Sequence, residues 1–186
     1  MRKKDDCKRQ KIKEAVLQEI RKNGFQGASI AKIAKTAGVS PATVYIYYEN
    51  KEEMLKDIYH EYAEQVFEYV LADIHKEMSG EEILAKVIRN YYEYATLNHE
   101  CFLFVEQFVS CPSLLSGCGS LNGMHRINQL FAELRGDNII GNWNDETVYA
   151  IIFSPVGNVV ARHSISEEKR DLYIEQIIEI VKKGLA

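Results

Sequence analysis

Apolar positions recur along nearly the whole chain at three- and four-residue intervals, the spacing of a helix with one buried face. Ile12, Val16, Leu17 and Ile20 form such a stripe on a first helix, which Gly24 is expected to end. Ser29 is placed to cap a short second helix carrying Ile30, Ile33, Ala34 and Ala37, with Gly38 just past its end. Ser40 followed by Pro41 reads as a cap and a proline in the first turn of a third helix, where the missing N–H is harmless. Asn50 with Glu53 resembles a further capping pair, so the third helix is short and a fourth opens there.

Leu55, Ile58, Tyr62, Val66, Tyr69 and Val70 keep one face of the fourth helix apolar, and the pattern predicts that it runs to about Met78. Ser79 with Glu82 is a capping box for a fifth helix through Ile83, Val87, Tyr91 and Tyr94, and a sixth is predicted from about Glu100 to Ser110. Residues 111–123 are rich in Gly, Ser and Pro and read as a loop. Helical spacing resumes near Met124–Leu134, Asn144–His163 and Ser166–Leu185, with Pro155 and Gly157 predicting a bend. The expected fold is all-α, about nine helices, without a competing strand pattern. Two domains follow: a three-helix unit at residues 1–51 and a larger helical body at 52–186, joined stiffly by the fourth helix.

Charge divides at the same place. Residues 1–51 carry 12 Lys or Arg against 5 Asp or Glu, a balance of +7, and the remainder carries 11 against 22, a balance of −11. A basic end on an acidic body suits contact with a polyanion, although a charge run by itself is more often a solvated face. With 46% hydrophobic residues and only 3 Pro in 186, the chain is neither disordered nor fibrous. No segment approaches the roughly 18 apolar residues of a membrane span, and the charged N-terminus lacks the apolar core of a secretory signal. Four cysteines without such a signal point to free thiols in a reducing, cytoplasmic compartment.

Residues 30–47 (IAKIAKTAGVSPATVYIY) supply a motif that places the cations. Ala34 lies where two helices cross, Gly38 suits a left-handed turn, and Val39 and Val44 with Ile30 and Ile33 pin the pair together. That is the spacing of a helix-turn-helix, whose second helix enters the major groove of DNA with its N-terminal residues first. Pro41, Ala42 and Thr43, with Tyr45 one turn on, are the candidate base readers. Ser29 at a helix start, with Tyr45, Tyr47, Lys51, Lys32 and Lys35, suits phosphate contact. Helix pairs with a glycine turn also pack in proteins that never meet DNA, and three tyrosines at 45, 47 and 48 cannot all face a core.

Gly24-Phe25, Ser29-Ile30, Ile33-Ala34, Ala37-Gly38-Val39-Ser40, Thr43-Val44-Tyr45, Tyr47-Tyr48 and Asn50-Lys51-Glu52 together resemble the DNA-binding domain of the TetR family of bacterial transcriptional regulators, over Lys8 to Met54. Ala42, Val44 and Tyr48 depart mildly from residues frequent there. The resemblance implies DNA contact at Ser29, Thr43, Tyr45, Tyr47 and Lys51; with the motif reading, the DNA-facing set becomes Ser29, Ile30, Lys32, Ser40, Pro41, Ala42, Thr43, Tyr45, Tyr47 and Lys51. It also implies a homodimer paired through the last two helices, double-stranded DNA with a palindromic operator, and a ligand that releases a repressor from it.

The body allows these roles. Ile152, Val156, Val159, Ile174, Ile177, Ile178 and Val181 lie on apolar stripes of the last two helices and are the candidate dimer residues, though part of each stripe must serve the protomer's own core. Aromatic residues concentrate between Tyr59 and Phe108, where ordinary core packing accounts for any single ring. The family's ligand pocket makes Tyr62, Phe67, Tyr91, Tyr94, Phe104, Gln107 and Phe108 candidates to line a cavity for a small apolar or aromatic effector. His99, Cys101, Cys111, Cys118 and His125 match no tight metal-ligand spacing, and no P-loop, GxGxxG, GxSxG or HExxH occurs. The expectation is therefore a regulator without cofactor, metal or catalysis. A protein-interaction factor that uses DNA as a tether is the alternative on the same fold.

Overall fold

A computed structural model describes residues 2–111, 121–162 and 164–185. Among these residues there are nine helices and no strand: α1 (Arg2–Gly27), α2 (Ile30–Ala37), α3 (Pro41–Tyr47), α4 (Lys51–Val70), α5 (Gly80–Leu97), α6 (His99–Val109), α7 (Asn122–Gly136), α8 (Asp145–Val160) and α9 (Glu167–Leu185). The chain divides into two compact units, one of Met1–Tyr62 with Phe104–Cys118, the other of Ala63–Leu103 with Gly119–Ala186.

In the first unit, Ile12, Val16, Leu17 and Ile20 are buried as their spacing requires. Gly24 ends the first straight segment of α1, as its place in the sequence predicts. At φ 66° and ψ 175° it adopts a conformation open almost only to glycine, and the helix resumes beyond the kink as far as Gly27. The restart turns Phe25 against Phe104 and Phe108 of α6, with ring centroids 6.0 and 5.7 Å away. α2 packs on both α1 and α3. Arg9 pairs with Asp57 at 2.8 Å and Lys13 with Glu61, fastening α1 to α4.

α4 ends at Val70, well before the predicted Met78. The apolar spacing carries no stop signal, because the stop comes from another helix. Asn90 of α5, in the second unit, is buried and donates from Nδ2 to the carbonyl oxygens of Tyr69 (3.2 Å), Val70 (3.1 Å) and Ala72 (2.9 Å). Tyr69 and Val70 carry the last two carbonyls of α4, Tyr69's accepting also from the Ala72 N–H at 3.1 Å, and Asp73 at φ 56° turns the chain away. α5 opens on the expected capping box, Ser79 with Glu82.

The second unit is built around α5, α8 and α9, each packing on the other two. Leu84, Ile88, Val148, Ile152, Ile174 and Ile178 fill its interior. Arg89 clasps Glu175 bidentately, Nε to Oε1 at 2.9 Å and Nη2 to Oε2 at 2.8 Å. α7 begins at Asn122, two residues before the expected start, because the Glu64 carboxylate accepts from the N–H groups of Asn122 (2.6 Å) and Gly123 (2.8 Å). Gly123 has no space for a side chain, since a Cβ there overlaps Phe67. Most of the loop predicted at 111–123 lies outside the described residues.

Candidate nucleic-acid interface

The geometry of the α2–α3 pair is set by its turn. Ser29 Oγ accepts from the Lys32 N–H at 3.3 Å to start α2, and Gly38 ends it at φ 67° and ψ 33°, the left-handed turn expected of it. The Val39 N–H then reaches back to the Ala34 carbonyl at 2.9 Å. Ser40 Oγ accepts from the Thr43 N–H at 3.2 Å and opens α3, with Pro41 in the first turn. Ile33, Ala34, Ala37 and Val44 are buried along the crossing.

One side of α3 is therefore fixed by Val44, and the opposite side is uncovered. Pro41, Ala42, Tyr45 and Ile46 are all exposed, Tyr45 to 56% and Ile46 to 76%. The three neighbouring tyrosines separate: Tyr48 is buried, Tyr47 half-buried and Tyr45 open to solvent. Burial pushes the Tyr48 phenol above its ordinary pKa, so it stays neutral at physiological pH.

The predicted polar contacts divide in the same way. Ser29 and Ile30 are half-buried at the start of α2, and Lys32 and Lys35 are exposed on it. Lys32 Nζ donates to the Gly27 carbonyl at 2.8 Å. Lys51, expected at a phosphate, is half-buried and donates to the carbonyls of Phe25 (3.0 Å) and Ala28 (3.1 Å). These two cations hold the turn between α1 and α2. Thr43 is half-buried, and its hydroxyl lies 2.9 Å from that of Ser40, so the helix start engages both. Ile46 was missing from the expected set. It sits four residues beyond Ala42 on the same face, a relation legible once Val44 marks the buried side.

The candidate pocket residues fall in two ring clusters. Tyr62, Phe104 and Phe108 belong to the first unit, where Phe108 stacks on Tyr59 at 4.2 Å and Tyr62 meets Phe104 edge-on at 6.2 Å. Tyr91 and Tyr94 belong to the second, Tyr91 between Phe102 (5.3 Å) and Phe153 (4.7 Å), and Tyr94 against Tyr69 (5.6 Å). Phe67 is half-buried at Gly123, and Gln107 is exposed, so it cannot orient a ligand inside the bundle. Tyr94 is buried while its hydroxyl lacks a hydrogen-bond partner among the described residues, and burial raises its pKa.

Of the candidate dimer residues, Ile152, Val156, Val159, Ile174, Ile178 and Val181 are buried inside the protomer's own unit, and Ile177 is half-buried. The outward side of α8 and α9 carries a groove of about 480 Å³ lined by two of these candidates, Val159 and Ile177, with Pro155, Arg162, Tyr173 and Ile180 among others, Ile180 being 68% exposed. Among the described residues no three His, Cys, Asp or Glu side chains gather as metal ligands, and Cys118 lies outside those residues. No helix is long and apolar enough to cross a membrane.

Residues 12–58 match the family model described as bacterial regulatory proteins, tetR family. The fatty acid metabolism regulator protein of Bacillus subtilis is 34% identical over 88 residues, 47% of this chain and 45% of that protein's own length, so less than half of that relative is represented. A TetR family transcription regulator from Marinobacter aquaeolei has the same fold at a TM-score of 0.80, with 25% identity over 96% of this chain and 97% of that one. A regulator from Bacillus subtilis solved with stearoyl-CoA shares the fold at a TM-score of 0.62 and 22% identity, covering 95% of this chain and 99% of the other.

Proposed function

We propose that the chain, whose residues 12–58 match the family model described as bacterial regulatory proteins, tetR family, is a homodimeric repressor of that family that binds a palindromic operator and leaves it when an apolar effector binds. The observation that carries this reading is the uncovered side of α3. A helix pinned through Val44 presents Pro41, Ala42, Tyr45 and Ile46 to solvent on a segment with a balance of +7. Such a face fits the major groove, with Ser29 and the lysines of α2 toward the phosphates.

Pairing through the outward groove of α8 and α9 covers Tyr173, Ile177 and Ile180. Two copies then present their α3 helices to half-sites about 34–36 Å apart. For the effector, the Tyr94 hydroxyl, which has no hydrogen-bond partner among the described residues, offers a donor in apolar surroundings. A fatty acyl thioester supplies both an apolar chain and an acceptor oxygen, and the Bacillus relative named as a regulator of fatty acid metabolism favours that class. The Phe25 contacts with Phe104 and Phe108 give a route for release, since a shift of the end of α6 moves the turn that Lys51 and Lys32 hold. A hundredfold preference of the effector for the released state supplies about 2.7 kcal/mol. This work takes place in the bacterial cytoplasm.

The test is selection of duplexes from a random-sequence library, followed by anisotropy titration of the enriched duplex. The expected result is an inverted repeat whose affinity falls roughly a thousandfold between 50 and 200 mM salt, with palmitoyl-CoA releasing it and free CoA failing to do so. A protein that retains no duplex at 50 mM salt overturns the reading.

A further inference from the structure

As a reading element α3 carries no charged or amide side chain: its sequence is PATVYIY. Guanine is read by Arg or Lys at O6 and N7, adenine by Asn or Gln at N6 and N7, and cytosine by a carboxylate at N4. None of these is available on the exposed side, which consists of Pro41, Ala42, Tyr45 and Ile46. The two short hydroxyls next to it, of Ser40 and Thr43, lie 2.9 Å apart and are engaged in opening the helix. What α3 offers a groove is apolar surface and one phenol. The apolar feature of the major groove is the C5-methyl group of thymine.

We propose that the operator half-site is read chiefly through thymine methyl groups, and that Ile46, the more exposed of the two large side chains on that face, is the main contact. Ile46 supports no core that is visible around it. A solvated isoleucine at 76% exposure on so short a helix loses that exposure when it meets a methyl-bearing edge. Discrimination by methyls explains how a helix without hydrogen-bonding readers can still prefer one sequence, while the basic residues of the unit supply affinity common to all sequences. The inference rests on the reading of α3 as the DNA-contacting helix.

The experiment uses the full chain and duplexes enriched from a random library, each then resynthesised with deoxyuridine in place of thymidine. That exchange removes only the C5-methyl and keeps every base-pairing and hydrogen-bonding group. Burial of one methyl-sized group corresponds to about fourfold in affinity, so loss of one in each half-site weakens binding by roughly tenfold or more. The Ile46→Ala variant, at a surface position, keeps its fold, weakens the thymine duplex by a similar factor and loses the distinction between the two duplexes. Ile46→Val keeps most of it. Equal binding of both duplexes by the unchanged protein overturns methyl readout while leaving DNA binding intact. Discrimination that survives in Ile46→Ala removes Ile46 as the contact. Enriched half-sites whose invariant positions are all G·C also overturn the proposal, whereas enrichment of nothing sinks the DNA-binding reading itself.

Discussion

Replacing Lys51 with Met distinguishes a phosphate ligand from a structural clamp. The Lys51 ammonium donates to the carbonyls of Phe25 at 3.0 Å and Ala28 at 3.1 Å, and Ala28 is 97% removed from solvent. A hydrogen bond from a charged donor contributes about 1.5–3 kcal/mol, and a buried acceptor left unpaired costs about 1–3 kcal/mol. Relief of the partial desolvation of the ammonium offsets part of this, and methionine refills the space of the stem. The expected net loss is about 2–4 kcal/mol, or at least roughly 4 °C in Tm for a chain of this size. Urea unfolding followed by circular dichroism measures it, with Lys32→Met as the comparison. Lys32 is exposed and makes one bond, to Gly27, so its loss is about 1 kcal/mol or less. If Lys51→Met unfolds within about 0.5 kcal/mol of the parent yet no longer holds DNA, the ammonium serves the phosphate and not the turn, and the reasoning is wrong.

The two glycines of the reading head are expected to behave differently. Gly38, in the left-handed turn, accepts Asn with little loss, whereas Gly24, at φ 66° and ψ 175°, loses about 1–3 kcal/mol with either Ala or Asn although nothing crowds it; thermal melts of the variants measure this. Tyr94→Phe removes a buried hydroxyl without a described partner, so the free protein is at least as stable as the parent, while palmitoyl-CoA releases DNA less effectively. A destabilised but fully responsive variant contradicts that role. Arg89 holds the Glu175 carboxylate below its ordinary pKa. The pair therefore stabilises the protein fully above about pH 4.5 and loses its effect as pH falls through the lowered folded value, by less than about 1 kcal/mol at this exposed site. Comparison with Glu175→Gln should show a gap at pH 6 that closes near pH 3.

Much of this molecule is legible in its sequence because the relevant signals are local. Ser29, Ser40, Asn50, Ser79 and Asn144 each accept from the N–H three residues on, as helix starts demand, and Gly38 turns left-handed where the pattern places it. The misses come from partners distant in sequence. Nothing near Val70 announces that Asn90 receives the last carbonyls of α4, and nothing near Asn122 announces Glu64. Apart from these misses, Lys51 matches the position of a phosphate ligand and also donates to the carbonyls of Phe25 and Ala28, which lie beyond the kink of α1 at Gly24. The apolar stripes of α8 and α9 are true stripes, but their most regular members fill the protomer's own core. The groove on their outward side is lined by a less regular set that includes Tyr173, Ile177 and Ile180.

On the proposed function, DNA lies along the open side of α3. Hydroxyl-radical footprinting read by mass spectrometry, with and without an enriched duplex, tests it residue by residue. Tyr45 and Ile46 are oxidised readily in the free protein and become protected when the duplex is added, while Leu172, exposed on α9, changes little. Tyr45 and Ile46 oxidised equally in both samples, under conditions where the duplex is bound, contradict the account.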